Sequence, residues 1–278
     1  MNRLTIEEIS FFKREGYLIK CGVLDPDLMA RARERKWKGA PPRMKRDDPS
    51  TWFGPFRDDE ELDEKPNRRS GYTWKYMEPG SEEWIVGMLA TDPKIFGWIE
   101  QLLGEGEVKR PDKIRGIYCR LPMGDAPEKP IVCHCDVSPD KLDLDLRETA
   151  LQPGMGLVGL IAPIPSAGGS FTIWPGTHRI IYDLLANTEG QERIDAYKEC
   201  LIRFNDDHRV EGCGEAGDIL FWHRLLAHTA GWNRSAKIQL REAVLCDYNK
   251  EPNEELVAGR PYGDMWHEWS EEVRNAPV

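Results

Sequence analysis

Cysteine is sparse and patternless. The 278-residue chain has seven, at 21, 119, 133, 135, 200, 213 and 246, with no C-x-x-C pair. An odd, scattered set argues against a disulfide framework and points to reduced thiols. Basic residues are in deficit: 38 Lys and Arg against 48 Asp and Glu leave a net charge of −10. Phosphate backbones and anionic lipid demand a basic face, so neither nucleic acid nor membrane is an expected partner. No run approaches the roughly 18 apolar residues of a membrane span. The opening MNRLTIEEIS lacks the apolar stretch of a signal peptide, so the expectation is a soluble, cytoplasmic protein. Internal repeats, low-complexity tracts, a P-loop and a G-x-S-x-G elbow are also missing. GMGLVG at 154–159 fits G-x-G-x-x-G, but Pro153 precedes it and two prolines follow, so no helix starts there and a dinucleotide loop is excluded.

What remains is globular: 40% hydrophobic residues, 31% charged, ten tryptophans. Thr5 and Glu8 form a capping box, with Leu4 and Ile9 as a hydrophobic staple; Gly16 stops that helix and a strand over 17–20 follows. Asp25-Pro26 starts a second helix, to about Trp37, and Asp92-Pro93 a third, ending at Gly104. Residues 40–73 read as irregular, either a solvated loop or a lid. Strands are expected at 113–121, 131–137, 155–162, 169–174, 217–222 and 238–248, with one helical insert at about 189–204. The pattern predicts a mainly β fold with flanking helices, a double-sheet core of the jelly-roll kind.

Histidine is scarce enough to be informative: there are six. One lies in the apolar run IVCHCDV. Residues two apart on a strand share a face, so His134 and Asp136 converge while Cys133 and Cys135 face the core on the other side. Such a pair suits a metal held by two histidines and a carboxylate, which leaves coordination positions open. The second histidine is sought in GDILFWHRLLAHTAGWNRS, which offers His223 and His228. Five residues apart, they would lie on opposite faces of an unbroken strand, so only one reaches the metal.

These pieces resemble the phytanoyl-CoA dioxygenase family of iron(II)/2-oxoglutarate oxygenases. The matching elements are HCD at 134–136, GGSFTIWPGTHR at 168–179 and GDILFWHRLLAHTAGWNRS at 217–235, after a similar opening, TIEEISFFKREGYLIKCGVLD. The resemblance implies a double-stranded β-helix and a triad of His134, Asp136 and His228 as both metal and catalytic residues. His228 is chosen because the ligand histidine lies five residues before the asparagine, here Asn233. His223 is then no ligand, and His178 is structural. The arginine that holds 2-oxoglutarate in relatives would fall at Gln239; Arg241 is the nearest match, across an inferred two-residue insertion, with Arg234 as a solvent-facing competitor. Ala230 stands where relatives often carry Ser or Thr. On the strand 113–121, Arg115 and Cys119 share a face, and Arg115 is a candidate second cosubstrate contact.

The resemblance further implies Fe(II), 2-oxoglutarate and O2 as cofactors and cosubstrates. The expected reaction is oxidation, above all hydroxylation, of an unactivated C–H bond of a small-molecule metabolite, with decarboxylation of 2-oxoglutarate to succinate. Related halogenases carry Gly or Ala at the place of Asp136, so halogenation is not expected. The expected organisation is one catalytic domain over 1–278: a mostly helical part at 1–110, the β-helix core at 113–250 and a tail at 251–278, as monomer or homodimer. Acyl-CoA is a poor fit, since only the mixed stretch Arg43 to Arg69 offers a basic cluster. The competing readings are a cupin-like isomerase without 2-oxoglutarate and a non-catalytic binding module.

Overall fold

Thr5 starts helix α1 (Ile6–Glu15) as read. Its hydroxyl accepts from the Glu8 amide, and the Glu8 carboxylate accepts from the Thr5 amide. Gly16, at φ +81°, turns the chain into β1 (Tyr17–Lys20). Asp25 and Asp92 cap α2 (Pro26–Arg35) and α4 (Pro93–Leu103) with their carboxylates, each with proline in the first turn. Helix α3 (Glu83–Leu89) lies between these two. The computed structural model describes residues 3–127, 129–138, 142, 151–205, 208–251 and 263–278.

The strands are β2 (Leu62–Glu64), β3 (Asn67–Ser70), β4 (Thr73–Tyr76), β5 (Gly116–Arg120), β6 (Gly154–Leu160), β7 (Phe171–Ile173), β8 (Val210–Gly212), β9 (Ile219–His223), β10 (His228–Ala230) and β11 (Arg241–Asn249). Eight form an antiparallel sheet in the order β1-β9-β6-β11-β5-β4-β3-β2, and three form a second sheet, β10-β7-β8. This is the double-sheet β fold with flanking helices that the sequence predicts. Helices α5 (Thr177–Asn187), α6 (Gly190–Phe204) and α7 (Glu271–Asn275) complete the described elements.

Side-chain alternation divides the molecule into three cores. Ile117, Cys119, Leu157, Phe221 and Val244 turn outward from the large sheet and pack with α1, α2 and α4 through Ile9, Phe12, Met29, Ile95, Ile99 and Leu102. Val158, Leu160, Leu220, Trp222, Ala243 and Leu245 turn inward, to meet Phe171 and Ile173 of the small sheet. The third core packs Cys133, Cys135, Tyr197, Cys200 and Phe204 together. Both cysteines of IVCHCDV are therefore core residues, as expected.

Three expectations need correction. Residues 40–73 are not structureless: β2 and β3 extend the large sheet. Arg43 pairs with Glu60, and Arg69 donates to the carbonyls of Glu60 and Gly39, so that basic stretch is occupied internally. Residues 131–137 form no strand; their β-pairing is an isolated bridge, His134 to His228, with one further backbone bond from the Asp136 amide to the Arg224 carbonyl. Helix α5 stands where the sequence predicts only a turn; no side chain caps its start at Gly176. No helix among the described residues is long and apolar enough to cross a membrane.

Candidate active site

The bridge between His134 and His228 brings two distant segments together. Each amide donates to the other's carbonyl, at 2.9 and 2.8 Å, and the imidazole centroids lie 4.5 Å apart. Nδ1 of His228 lies 2.8 Å from the Leu226 carbonyl, which only accepts, so Nδ1 carries the proton and Nε2 keeps its lone pair. Burial lowers the His228 pKa against the pull of Asp136, which favours the neutral, metal-ligating form. Phe171 stacks on the ring at 5.0 Å and fixes its plane.

Asp136 lies beside His228. Its Oδ2 lies 3.8 Å from His228 Nε2. Two donors bound at about 2.1 Å to one ion stand no more than about 4.2 Å apart, so this separation lets both reach the same ion. Among the described residues no three His, Cys, Asp or Glu side chains are gathered closely enough to hold a metal ion together as they stand. His134 is exposed, Asp136 half-buried and His228 buried. Two imidazoles and one carboxylate are a donor set suited to divalent iron with positions left free. Burial opposes the charge on Asp136, but His228, Arg115 and the hydrogen bonds from Trp222 and Arg115 prevail and hold its pKa down at about 2.

The other predicted histidines lie elsewhere. His223 stacks on Trp269 at 5.1 Å, and His178 packs 5.2 Å from it, with Nε2 on the Lys13 carbonyl. Both belong to the outer side of the large sheet. A short turn explains the choice between His223 and His228: β9 ends at His223, and the Leu226 amide donates back to the His223 carbonyl, which resets the alternation.

Arg241 opens β11 on its inward face, opposite Arg120 of β5. It is 2% exposed, yet among the described residues its one hydrogen bond is a 3.4 Å contact with the Tyr118 carbonyl, and Nε is buried without a partner there. Arg120, which the sequence reading missed, donates to the Thr73 hydroxyl and the Ala230 carbonyl. Neither guanidinium meets a carboxylate among the described residues. Burial pulls each down to about 10, and for Arg241 the charge of Arg120 adds to it. Asn233 Nδ2 bonds the carbonyls of Arg120 and Gln239 and so pins the turn that delivers Arg241 to this place. Arg234 is exposed and donates to the Ala126 carbonyl.

Arg115 departs from its predicted place. It shares no face with Cys119, whose thiol packs outward. Gly116 intervenes at φ +123°, and a Cβ there would lie 2.5 Å from the Tyr76 carbonyl oxygen. That conformation breaks the alternation and sends the Arg115 guanidinium to Asp247 and Asp136 instead of leaving it free for a cosubstrate. Asp136 and this pair border a pocket of about 200 Å³.

A model of the phytanoyl-CoA dioxygenase (PhyH) family matches residues 155–243, a stretch that includes His228 and Arg241. No curated protein compared with the chain matches it. Among solved structures, the chain is similar to EctD from S. alaskensis with 2-oxoglutarate and 5-hydroxyectoine: TM-score 0.55, 17% identity, over 89% of this chain and 76% of that one. HygX from Streptomyces hygroscopicus with nickel and 2-oxoglutarate gives TM-score 0.54 at 15% identity, over 89% and 87%. The carbocyclase SnoK from nogalamycin biosynthesis gives 0.52 at 17%, over 94% and 93%. These likenesses show a common fold.

Proposed function

We propose that this chain, which resembles the phytanoyl-CoA dioxygenase family and shares the fold of EctD and HygX, is an iron(II)- and 2-oxoglutarate-dependent oxygenase. In this reading residues 1–278 form one catalytic unit acting on a small molecule. His134, Asp136 and His228 hold the metal, and Arg241 with Arg120 holds the distal carboxylate of 2-oxoglutarate. Iron bound there supplies dioxygen activation coupled to decarboxylation of 2-oxoglutarate to succinate.

The protein's own contribution is orientation and exclusion of water. Leu226 holds the His228 ring through Nδ1, so Nε2 needs no reorientation to bind. A planar guanidinium fork takes a carboxylate through two parallel bonds, and Arg241 and Arg120 keep such donors unpaired by acid on the inward wall. Phe171, Trp222 and Leu245 line the same interior and keep it apolar. Asp136 supplies a carboxylate where a small residue would leave room for halide, which favours hydroxylation of a C–H bond over halogenation.

The observation that carries the reading is the buried Arg241 guanidinium with the half-buried Arg120 beside it, neither with an acid partner among the described residues, on the inner face of the large sheet, while His228 lies on the small sheet. An anion of matching shape satisfies them. The test is anaerobic addition of Fe(II) and 2-oxoglutarate to the purified protein. The expected result is a visible metal-to-ligand charge-transfer band, with succinate formed once oxygen is admitted. Breaking a buried ion pair costs about 2–5 kcal/mol, so Arg241→Ala should raise the 2-oxoglutarate Kd about 30-fold or more, and Arg120→Met by less. Absence of the band at saturating iron, or a band indifferent to Arg241→Ala, would overturn the proposal.

A further inference from the structure

Asp136 has two oxygens, and the structure commits them differently. Oδ1 accepts from Arg115 Nη2 at 3.1 Å. Oδ2 accepts from Trp222 Nε1 at 2.8 Å and is the oxygen 3.8 Å from His228 Nε2. Arg115 is in turn held by a fork: Nε to Asp247 Oδ2 at 2.6 Å and Nη2 to Asp247 Oδ1 at 2.5 Å. Asp247 comes from β11, on the inward face opposite Gly156. The guanidinium therefore bridges two carboxylates from separate parts of the chain.

We infer that Arg115 and Asp247 form a charge-neutral clamp on the proposed metal ligand Asp136: Arg115 reserves Oδ1, so that Asp136 offers the metal one oxygen, and Asp247 cancels the cation that this requires. This rests on the oxygenase reading. The physical need is clear. A carboxylate free to turn offers both oxygens and occupies a position that 2-oxoglutarate must take. An arginine prevents that, but an arginine beside a dication repels it unless a second carboxylate neutralises it. Arg115 is thus a positioning residue that acts through Asp136, with no cosubstrate contact of its own. Outer partners of metal ligands commonly govern affinity by 10- to 100-fold.

The two halves of the clamp predict opposite effects, and cobalt(II) titration of the metal-free protein reads both without turnover. Asp247→Asn leaves the guanidinium uncompensated and should weaken cobalt binding about tenfold or more. Arg115→Met in the same chain removes that cation, so the double variant should bind nearly as the unaltered protein does. Arg115→Met alone should keep cobalt affinity within about threefold, change the visible cobalt spectrum before any 2-oxoglutarate is added, and weaken 2-oxoglutarate binding about tenfold. A direct contact between Arg115 and the cosubstrate would leave that spectrum unchanged. Circular dichroism confirms that each variant is folded, and Arg115→Met carries the test by itself if Asp247→Asn is not. Unchanged cobalt affinity in Asp247→Asn, a double variant as weak as Asp247→Asn, or an unaltered spectrum in Arg115→Met each overturns the clamp. Failure of the unaltered protein to bind cobalt overturns the oxygenase reading with it.

Discussion

A single missing methyl group positions the indole that bonds Asp136. Gly156 sits opposite Trp222 across β6 and β9, and a Cβ there would lie 2.0 Å from the ring. Replacing strand glycine by alanine ordinarily gains about 0.4–1 kcal/mol through the unfolded chain, but overpacking costs about 1–3 kcal/mol. The clash wins because the atoms it meets belong to a buried ring rather than to the end of a flexible side chain. Gly156→Ala should lower stability by about 1–2 kcal/mol in urea denaturation; a stability equal to or above that of the parent would contradict this. The glycines of GMGLVG thus make room for packing in a strand, and the exclusion of a dinucleotide loop is consistent with that. Among candidate site residues, His134, Asp136 and His228 are proposed from local motifs, but what brings the first segment to His228 is an isolated bridge and not a strand's period, because residues 131–137 form no strand. Arg120 could not be read from a motif, since only the pairing of β5 with β11 brings it to Arg241. Arg115 was misplaced because Gly116's left-handed backbone is invisible to an alternation rule.

At the level of elements, the strongest readings were those with chemical punctuation. Helices α1, α2 and α4 begin at Thr5, Asp25 and Asp92, each a side-chain oxygen on a free amide. Thr5→Ala removes the cap and its return bond from Glu8, and should cost about 1 kcal/mol in thermal or chemical denaturation. No measurable change would mean that packing alone holds α1. Strands β2 and β3 escaped notice for the opposite reason. β2 is the edge strand, with Leu62, Asp63 and Glu64 all exposed, and the one buried residue of β3 is the charged Arg69, so no apolar alternation marks either. Helix α5 lacks a side-chain cap, and its apolar spacing abuts the β7 strand and was absorbed into the turn that follows it.

For the molecule as a whole, the fold class followed from many short strands after a run of helices. The third core and the docking of the terminal segment did not follow, because contacts between distant segments leave no periodic trace. That docking has a measurable cost at low pH. His178 is buried between α1 and Trp266, with Nδ1 unpartnered, and burial above all, with Arg179 adding to it, lowers its pKa from 6.5 to about 4. His223, stacked on Trp269, shifts the same way by burial. The unfolded chain takes up protons near pH 6.5 while the folded one resists until about 4. Stability is therefore complete above that window and is lost as pH falls through it. The melting temperature should decline over this range, and His178→Gln, which retains a donor for the Lys13 carbonyl, should flatten the decline. An unchanged slope would show that other groups govern the acid limb.

The indole of Trp222 has one N–H, and it is committed to Asp136 Oδ2. An ion that draws on that oxygen must alter the electronic surroundings of the chromophore and, if paramagnetic, quench its excited state. Trp222 is thus an intrinsic optical gauge of any ion bound at that oxygen. Cobalt should dim the protein's ultraviolet emission saturably, and Trp222→Phe should abolish that part of the signal while the emission of the other nine tryptophans persists.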